Sequence, residues 1–574
     1  KEYEPYAKQI FGNTPEMIEF FSKKLNYDFP WQKYAQIVGR DYVSGAMENT
    51  TAVIHEESAQ QKAGDLADEN KWEDVIAHEL FHHWFGDLVT AESWSNLTVN
   101  ESFADYSEYL WNEYKYGKDE ADYKRLKSLR NSKADPRNFG KDLVRFNYES
   151  REDMFDGVSY NKGGGILHML RNYLGDDAFF AGLSDYLKTN EYGTGEAHQL
   201  RLSLEKVSGK DLNWFFNQWY FGKGYPKLEV KSTFDPMKKQ VTVNVAQTQE
   251  EKFEFPLSID VLENGKISRK EVWVTAKAKN DFVFDVTKNP ELINANPEGL
   301  LLSDIKQDKT PEQLFLQYTT AKDLYSKYTA IEEAKDQVSK NPFADKLYAA
   351  ALKDKFYRNR LLALEGLPED PKSFLADVEK LAQNDEKNLV KGAAIGVLAK
   401  TKNPKYLPLF EKGINAVSNS VKGNSLSGIA QVAPEKVVNY AEKIDLESAS
   451  EDLVMTLLPV IVKNKITNQM PNIASLVAFY PFIGFQNPKL AAPAEEGFNW
   501  IMDSDNTKAV HNLTKVLGQA KSQIGDNVQA KMMIVQMLKK GLERKMKLFR
   551  ENPSSTSLNT QIEMLNKAIA SYSN

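Results

Sequence analysis

Two imidazoles and a carboxylate stand together in His78-Glu79-Leu80-Phe81-His82, inside the run Val75 to Asp87. Residues four apart on a helix lie one above the other, so His78 and His82 can aim two ring nitrogens at one metal ion while Glu79 sits beside it. That geometry suits zinc, and a catalytic zinc takes three protein ligands and keeps one position open. The third ligand is expected at Glu101, because His83 to Asn100 leave room for a turn, a short strand around Leu88 to Thr90 and the entry to a second helix. A structural zinc is closed by cysteines or a fourth ligand, and the chain has no cysteine.

The elements that must position these groups follow from spacing and caps. Asn70, with Glu73 three residues on, is expected to start the ligand helix and Gly86 to stop it. Val75, His78, His82 and Phe85 share a face, which makes the metal face the buried face. Glu101, Asp105 and Glu108 fall at i, i+4 and i+7 of a second helix running to about Tyr116, with Gly117 closing it. Upstream, Thr14-Pro15-Glu16 opens a helix with Met17, Phe21 and Leu25 on its apolar side, and strand-like runs follow at Tyr34 to Val38 and Tyr42 to Ile54. The second run carries Gly45-Ala46-Met47-Glu48-Asn49. Small residues at 45 and 46 allow another backbone to approach a strand edge, and a carboxylate there can hold an ammonium; taken alone, such a glutamate is usually a solvated edge charge.

At 574 residues the length suggests three to four domains. Lys+Arg 73 against Asp+Glu 80, a net charge of -7 and the lack of any basic block argue against nucleic acid as a partner. The absence of cysteine excludes disulfide and thiol chemistry. The longest apolar run, Leu453 to Val462, is broken by Thr456 and Pro459 and falls short of the roughly 18 residues a membrane span needs, so a soluble chain with no transmembrane segment is expected. The sequence opens at Lys1 without an initiator methionine or a signal-like segment, which reads as a processed or truncated product.

Gly45-Ala46-Met47-Glu48-Asn49, then the histidine-glutamate motif, then Glu101 after an eighteen-residue gap, resembles the aminopeptidase N family of zinc metallopeptidases. Ser159-Tyr160-Asn161-Lys162-Gly163 is similar to the family segment whose tyrosine faces the reacting carbonyl. Asp211 to Trp219 and Gly224-Tyr225-Pro226 resemble the end of its catalytic domain. The likeness implies a thermolysin-like, mainly helical catalytic domain over 1–225. It implies zinc held by His78, His82 and Glu101, Glu79 as general base and Tyr160 as stabiliser of the carbonyl oxygen. Glu48 would bind the free amine of a peptide substrate, with Gly45, Ala46, Met47 and Asn49 along the substrate and Ser44 lining the first side-chain pocket. Glu108 matches the family position that orients a metal-bound histidine, with Asp105 as the alternative. Two departures stand out: Asp87 where an asparagine is common, and Val99-Asn100 where leucine-asparagine is typical. Members also carry a large β-domain ahead of the catalytic one, and this sequence starts too late to contain it.

From Lys227 the period becomes two, as in Val241/Val243/Val245 and Leu257/Ile259/Val261, and Asn264-Gly265 is a hairpin turn; 226–306 therefore reads as a small antiparallel β-sandwich. Thr310-Pro311-Glu312-Gln313 caps the first of the helices that fill 307–574, with breaks at Gly366 to Pro371, Asn403-Pro404, Pro434 and Gly525-Asp526 and no fixed repeat. The expected fold is an α+β multidomain chain with a C-terminal helical array. The expected activity is zinc-dependent aminopeptidase action on peptides with a free N-terminus. The alternatives are a thermolysin-like endopeptidase, an epoxide hydrolase of the same superfamily, or an inactive scaffold. Ala46 argues against the epoxide branch, which resembles Gly-Gly-Met-Glu-Asn there, and the intact set of site residues argues against a scaffold. His55, His83, His168, His198 and His511 are expected to be packing or surface residues.

Overall fold

The computed structural model describes residues 3–40, 42–446, 451–525 and 527–573. Its first part is helical around a small sheet. The helix Thr14–Leu25 buries Met17, Phe21 and Leu25 against the ligand helix Glu73–Phe81, where Phe21 meets Phe81 edge-on at 4.8 Å. Three strands, β1 (Ala35–Val38), β2 (Ala46–Met47) and β3 (Ala52–His55), form a sheet in the order β1-β3-β2, so β2 is an edge. The run Tyr42 to Ile54, which reads as one strand, is a hairpin. Thr51 takes φ +66 and Ala52 N–H donates to the Asn49 carbonyl, which folds β2 back on β3 with Ala46 opposite His55.

The ligand helix does not begin at Asn70. Its side-chain oxygen is used by Gln61 and the Trp72 amide, and its amide group donates to the Ile10 carbonyl. Glu73 instead turns inward to accept hydrogen bonds from Asn13, Trp111 and Tyr116, placing a carboxylate at the positive end of the helix. The strand β4 (Val89–Ala91) pairs in parallel with β5 (Gly193–Gly195), and the second helix is Thr98–Tyr116, ended by Gly117 at φ +93.

The sandwich comprises β6 (Lys227–Asp235), β7 (Gln240–Gln247), β8 (Phe255–Glu263), β9 (Lys266–Val274), β10 (Lys279–Asp285), β11 (Leu292–Ala295) and β12 (Asp304–Lys306). They make two sheets, β10-β7-β6-β12 and β11-β8-β9. Every pairing is antiparallel except β12 with β6, which is parallel, because the chain crosses between the sheets before it leaves for the helices. Asn264 and Gly265, both at positive φ, turn β8 into β9.

Thr310 and Gln313 cap each other across the first turn of the helix Pro311–Thr320. Helices then continue to Ser573, with a core running from Leu314 to Tyr572 that is separate from the core shared by the first, mainly helical part and the sandwich. Gly366, Asn403-Pro404 and Pro434 lie at helix boundaries, as does Gly525; Asp526 lies outside the described residues. The two cores are tied at several places, among them the Arg130–Glu332 ion pair and the apolar contact of Leu126 with Leu324 and Tyr328. Arg358 reaches Glu69 (2.5 Å) and Glu120 (2.9 Å), while Ser418, Asn419 and Asn388 bond Asp68, Asp65 and the Ala67 carbonyl. The segment just upstream of the ligand helix is thereby docked on three helices of the array. Among the described residues, no helix is long and apolar enough to cross a membrane.

Candidate active site

His78, on the ligand helix, His82, in the turn that ends it, and Glu101, in the first turn of the helix Thr98–Tyr116, offer ligand atoms that all lie within 4.8 Å of one another. Nε2 of His78 is 3.4 Å and Nε2 of His82 is 3.2 Å from the same Glu101 oxygen, Oε2. All three residues are buried. The other ring nitrogens are engaged: His78 Nδ1 donates to Glu108 (3.0 Å) and His82 Nδ1 to the Phe85 carbonyl (3.0 Å). In the neutral imidazoles both Nε2 lone pairs therefore face inward. Glu101 Oε2 and Glu79 Oε2 are buried with no hydrogen-bond partner, which is the condition of carboxylates arranged around a cation.

The electrostatics follow from this crowding. Burial pushes the Glu79 carboxyl up to about 7, opposed by the two imidazoles. Burial works against charge on His82 also, but Glu48 and Glu101 lift it to about 10. Burial would raise Glu101, yet His82 and His78 hold it well below the usual carboxylate range. The Glu48 carboxylate, immediately after β2, acts on Glu79, His82, Asp87 and Tyr160 alike.

Tyr160 lies in a single π-helical turn, Val158–Lys162, with its ring stacked on His78 at 5.9 Å and 9°. Burial, then the charge of Glu101, raises its hydroxyl pKa far above neutrality. The three glycines that follow are packing residues. A Cβ at Gly163 would meet Ser102 Oγ at 1.8 Å and one at Gly164 would meet Asp105 Oδ2 at 2.2 Å, so only glycine lets this helix lie against the helix carrying Glu101. Ser102 donates to the Ser159 carbonyl (2.6 Å), fixing the tyrosine turn. Asp105 accepts from Asn161 (2.9 Å) beside Tyr160 and makes no bond to either imidazole; Glu108 has that role.

Ala46 and Met47 form the edge strand, Gly45 and Asn49 lie just outside it, and Ser44 is exposed. A Cβ at Gly45 would meet nothing within 4 Å, so space is open there. Tyr160, Asn161, Asp105 and Glu108 also line a cavity of about 570 Å³ with Lys124 and Arg125.

Sequence reasoning missed how His82 is held. The α-helix ends at Phe81, and His82 is oriented from beyond it by the Phe85 carbonyl. Gly86, at φ +146, makes this turn possible, since a Cβ there would come within 3.1 Å of His82 Nδ1; a glycine four residues past a ligand histidine is the available signal. The remaining histidines divide by packing. His55 is buried between Gln36 and Trp72, and His168 bonds the Tyr106 hydroxyl. His83 is buried with both nitrogens bonded. His198 and His511 are exposed.

Residues 10–219 match the peptidase family M1 domain. The chain is 33% identical to an aminopeptidase N of Streptomyces lividans over 230 residues, 37% of this chain and 26% of that protein. It is 28% identical to a leucyl aminopeptidase of Saccharolobus solfataricus over 306 residues, covering 51% of this chain and 38% of the relative. The chain thus spans well under half the length of these curated relatives. A crystal structure of Legionella pneumophila aminopeptidase A in complex with aspartic acid shares the fold, with a TM-score of 0.62 at 18% identity over 99% of this chain and 73% of that one. Residues 10–219 are thus similar to the peptidase family M1 domain, and aminopeptidase N proteins stand among the relatives of the chain.

Proposed function

We propose that the chain is a zinc-dependent aminopeptidase that removes residues from the N-terminus of peptides, with one zinc ion held by His78, His82 and Glu101. One observation carries the reading: three ligand atoms lie within 4.8 Å of one another, with a buried, unpaired Glu79 oxygen on the helix that carries His78 and with Glu48, next to an edge strand, acting on Glu79 and His82. The donor set fits the ion, since both imidazoles present Nε2 inward and Glu101 Oε2 has no other partner. Bound there, zinc supplies Lewis acidity toward water and the scissile carbonyl.

The chain's own groups do the rest. Glu79, whose carboxyl sits at about 7, takes a proton from the attacking water and returns it to the leaving amine, and a value near neutrality serves both transfers. Tyr160 keeps its proton, so its hydroxyl donates to the carbonyl oxygen as negative charge grows there. Glu48 binds the substrate's α-ammonium, while Ala46 and Met47 offer an open strand edge to its backbone. Asp105 and Glu108 steady Asn161 and His78. The names of the relatives support the same reading, and with it we propose a division into a catalytic unit (1–225), a β-sandwich (226–306) and a helical array (307–574).

The test is hydrolysis of free and N-acetylated amino-acid amides by the purified chain, with metal content measured on the same sample. Cleavage of the free set alone, with about one zinc per chain, is expected. Equal cleavage of the acetylated set makes the protein an endopeptidase, and zinc binding without cleavage makes it a scaffold.

A further inference from the structure

His83 follows a ligand histidine but its ring lies on another side of the turn. It is buried, stacked on Phe29 (5.6 Å, 27°) and edge-on to Tyr34 (4.9 Å, 72°). Nδ1 donates to the carbonyl of Glu79 at 3.2 Å, and Nε2 accepts the backbone N–H of Thr51 at 3.0 Å. The two nitrogens work in opposite senses, which fixes one neutral tautomer. Thr51 needs such a hold: a β-branched residue at φ +66 is strained, and it closes the hairpin between β2 and β3.

Glu48 stands at the head of this turn. The edge strand before it pairs with β3 through only Ala46 and Met47, too short a ladder to fix the turn by itself. An exopeptidase needs its amine anchor held in register with the strand edge that takes the substrate backbone, because a charge-assisted hydrogen bond weakens steeply once its distance and angle are off, and an anchor out of place then binds the substrate less tightly. We propose that His83 is a positioning residue that locks the turn carrying Glu48 to the backbone of Glu79 and so sets where the substrate amine lies relative to the reacting carbonyl. This rests on the aminopeptidase reading above.

The test uses the full chain loaded with zinc, amino-acid p-nitroanilides as substrates and the variants His83→Phe, His83→Gln, Glu48→Ala and Glu48→Ala/His83→Phe. Phenylalanine keeps the ring and removes both bonds, whereas glutamine again offers one donor and one acceptor. His83→Phe is expected to raise KM about tenfold or more, with kcat and zinc content within about twofold, and His83→Gln to recover most of the loss. In the Glu48→Ala background the same change adds nothing, since the anchor it positions is gone. Losses that multiply in the double variant, or a fall in kcat or zinc content at unchanged KM, overturn the proposal. Should His83→Phe not fold, His83→Met removes the same bonds. A wild-type chain inactive on free amines would instead defeat the aminopeptidase reading. The lock itself is then read by hydrogen exchange at the Thr51 amide, which must quicken in His83→Phe and stay protected in His83→Gln; equal protection in all three overturns it.

Discussion

His82 Nδ1 donates to the carbonyl of Phe85, three residues on, at 3.0 Å, and this bond from outside the helix leaves Nε2 facing Glu101. The turn exists because Gly86 adopts φ +146 and presents no Cβ to the imidazole. Gly86→Ala is therefore expected to cost about 1–3 kcal/mol in stability and to weaken zinc binding about 10–100-fold by disturbing a ligand's supporting bond. Competition with a chelating dye measures the second effect. Unchanged zinc affinity would mean that the Phe85 carbonyl does not orient the ligand.

Glu79 and Tyr160 separate chemistry from binding. Glu79→Gln removes the base yet keeps a similar shape, so zinc content should hold while kcat falls about a thousandfold. Tyr160→Phe deletes one hydroxyl aimed at developing charge, and kcat should drop about 100–1000-fold with KM nearly constant. Steady-state kinetics with zinc content on each sample checks both. A Glu79→Gln protein at full speed would remove the proposed mechanism.

Much of this site was legible because its spacing is local. The i, i+4 pair at His78 and His82 and the Glu101, Asp105, Glu108 series need only helical periodicity to come onto one face, and they did so. What escaped depends on contacts between distant segments. Asn70 satisfies every capping rule but spends its side chain on Gln61, Trp72 and Ile10. Residues 42–54 alternate like one strand, yet Thr51 breaks them with a left-handed φ that no threonine advertises. His83 looked like packing, and its bond to Thr51 becomes visible only once the hairpin is folded back.

Arg358 is one of the ties between the helical array and the first, mainly helical part of the chain. Its guanidinium holds Glu69 and Glu120 and lies over the rings of Tyr123 and Tyr357, at 4.6 Å from each. Removing it leaves the buried Glu120 carboxylate with the Tyr357 hydroxyl alone, while the half-buried Glu69 keeps Lys124 at 3.8 Å, so Arg358→Ala should cost about 2 kcal/mol. Arg358→Lys keeps the charge without the planar fork and should recover only part of it. Thermal unfolding of both variants measures the loss. An unchanged midpoint for Arg358→Ala would mean that the docking rests on the other ties, Arg130 with Glu332 and the bonds of Ser418, Asn419 and Asn388.

His55 sets an acid limit on stability. Its Nδ1 accepts from Trp72 Nε1 (3.1 Å) and its Nε2 donates to Gln36 (3.0 Å), an arrangement that only the neutral ring satisfies. Burial lowers its pKa from 6.5 to about 4. Between those values the unfolded chain binds a proton that the folded chain refuses, so stability from this residue is complete above about pH 6.5 and is lost as the pH falls toward 4. The shift corresponds to about 3 kcal/mol at the acid end. His55→Gln, which cannot charge, should be less stable than the wild type at pH 7 but lose less on going to pH 4.5. Denaturant unfolding at the two pH values tests this, and parallel losses in both proteins would show that His55 takes up its proton without unfolding the sheet.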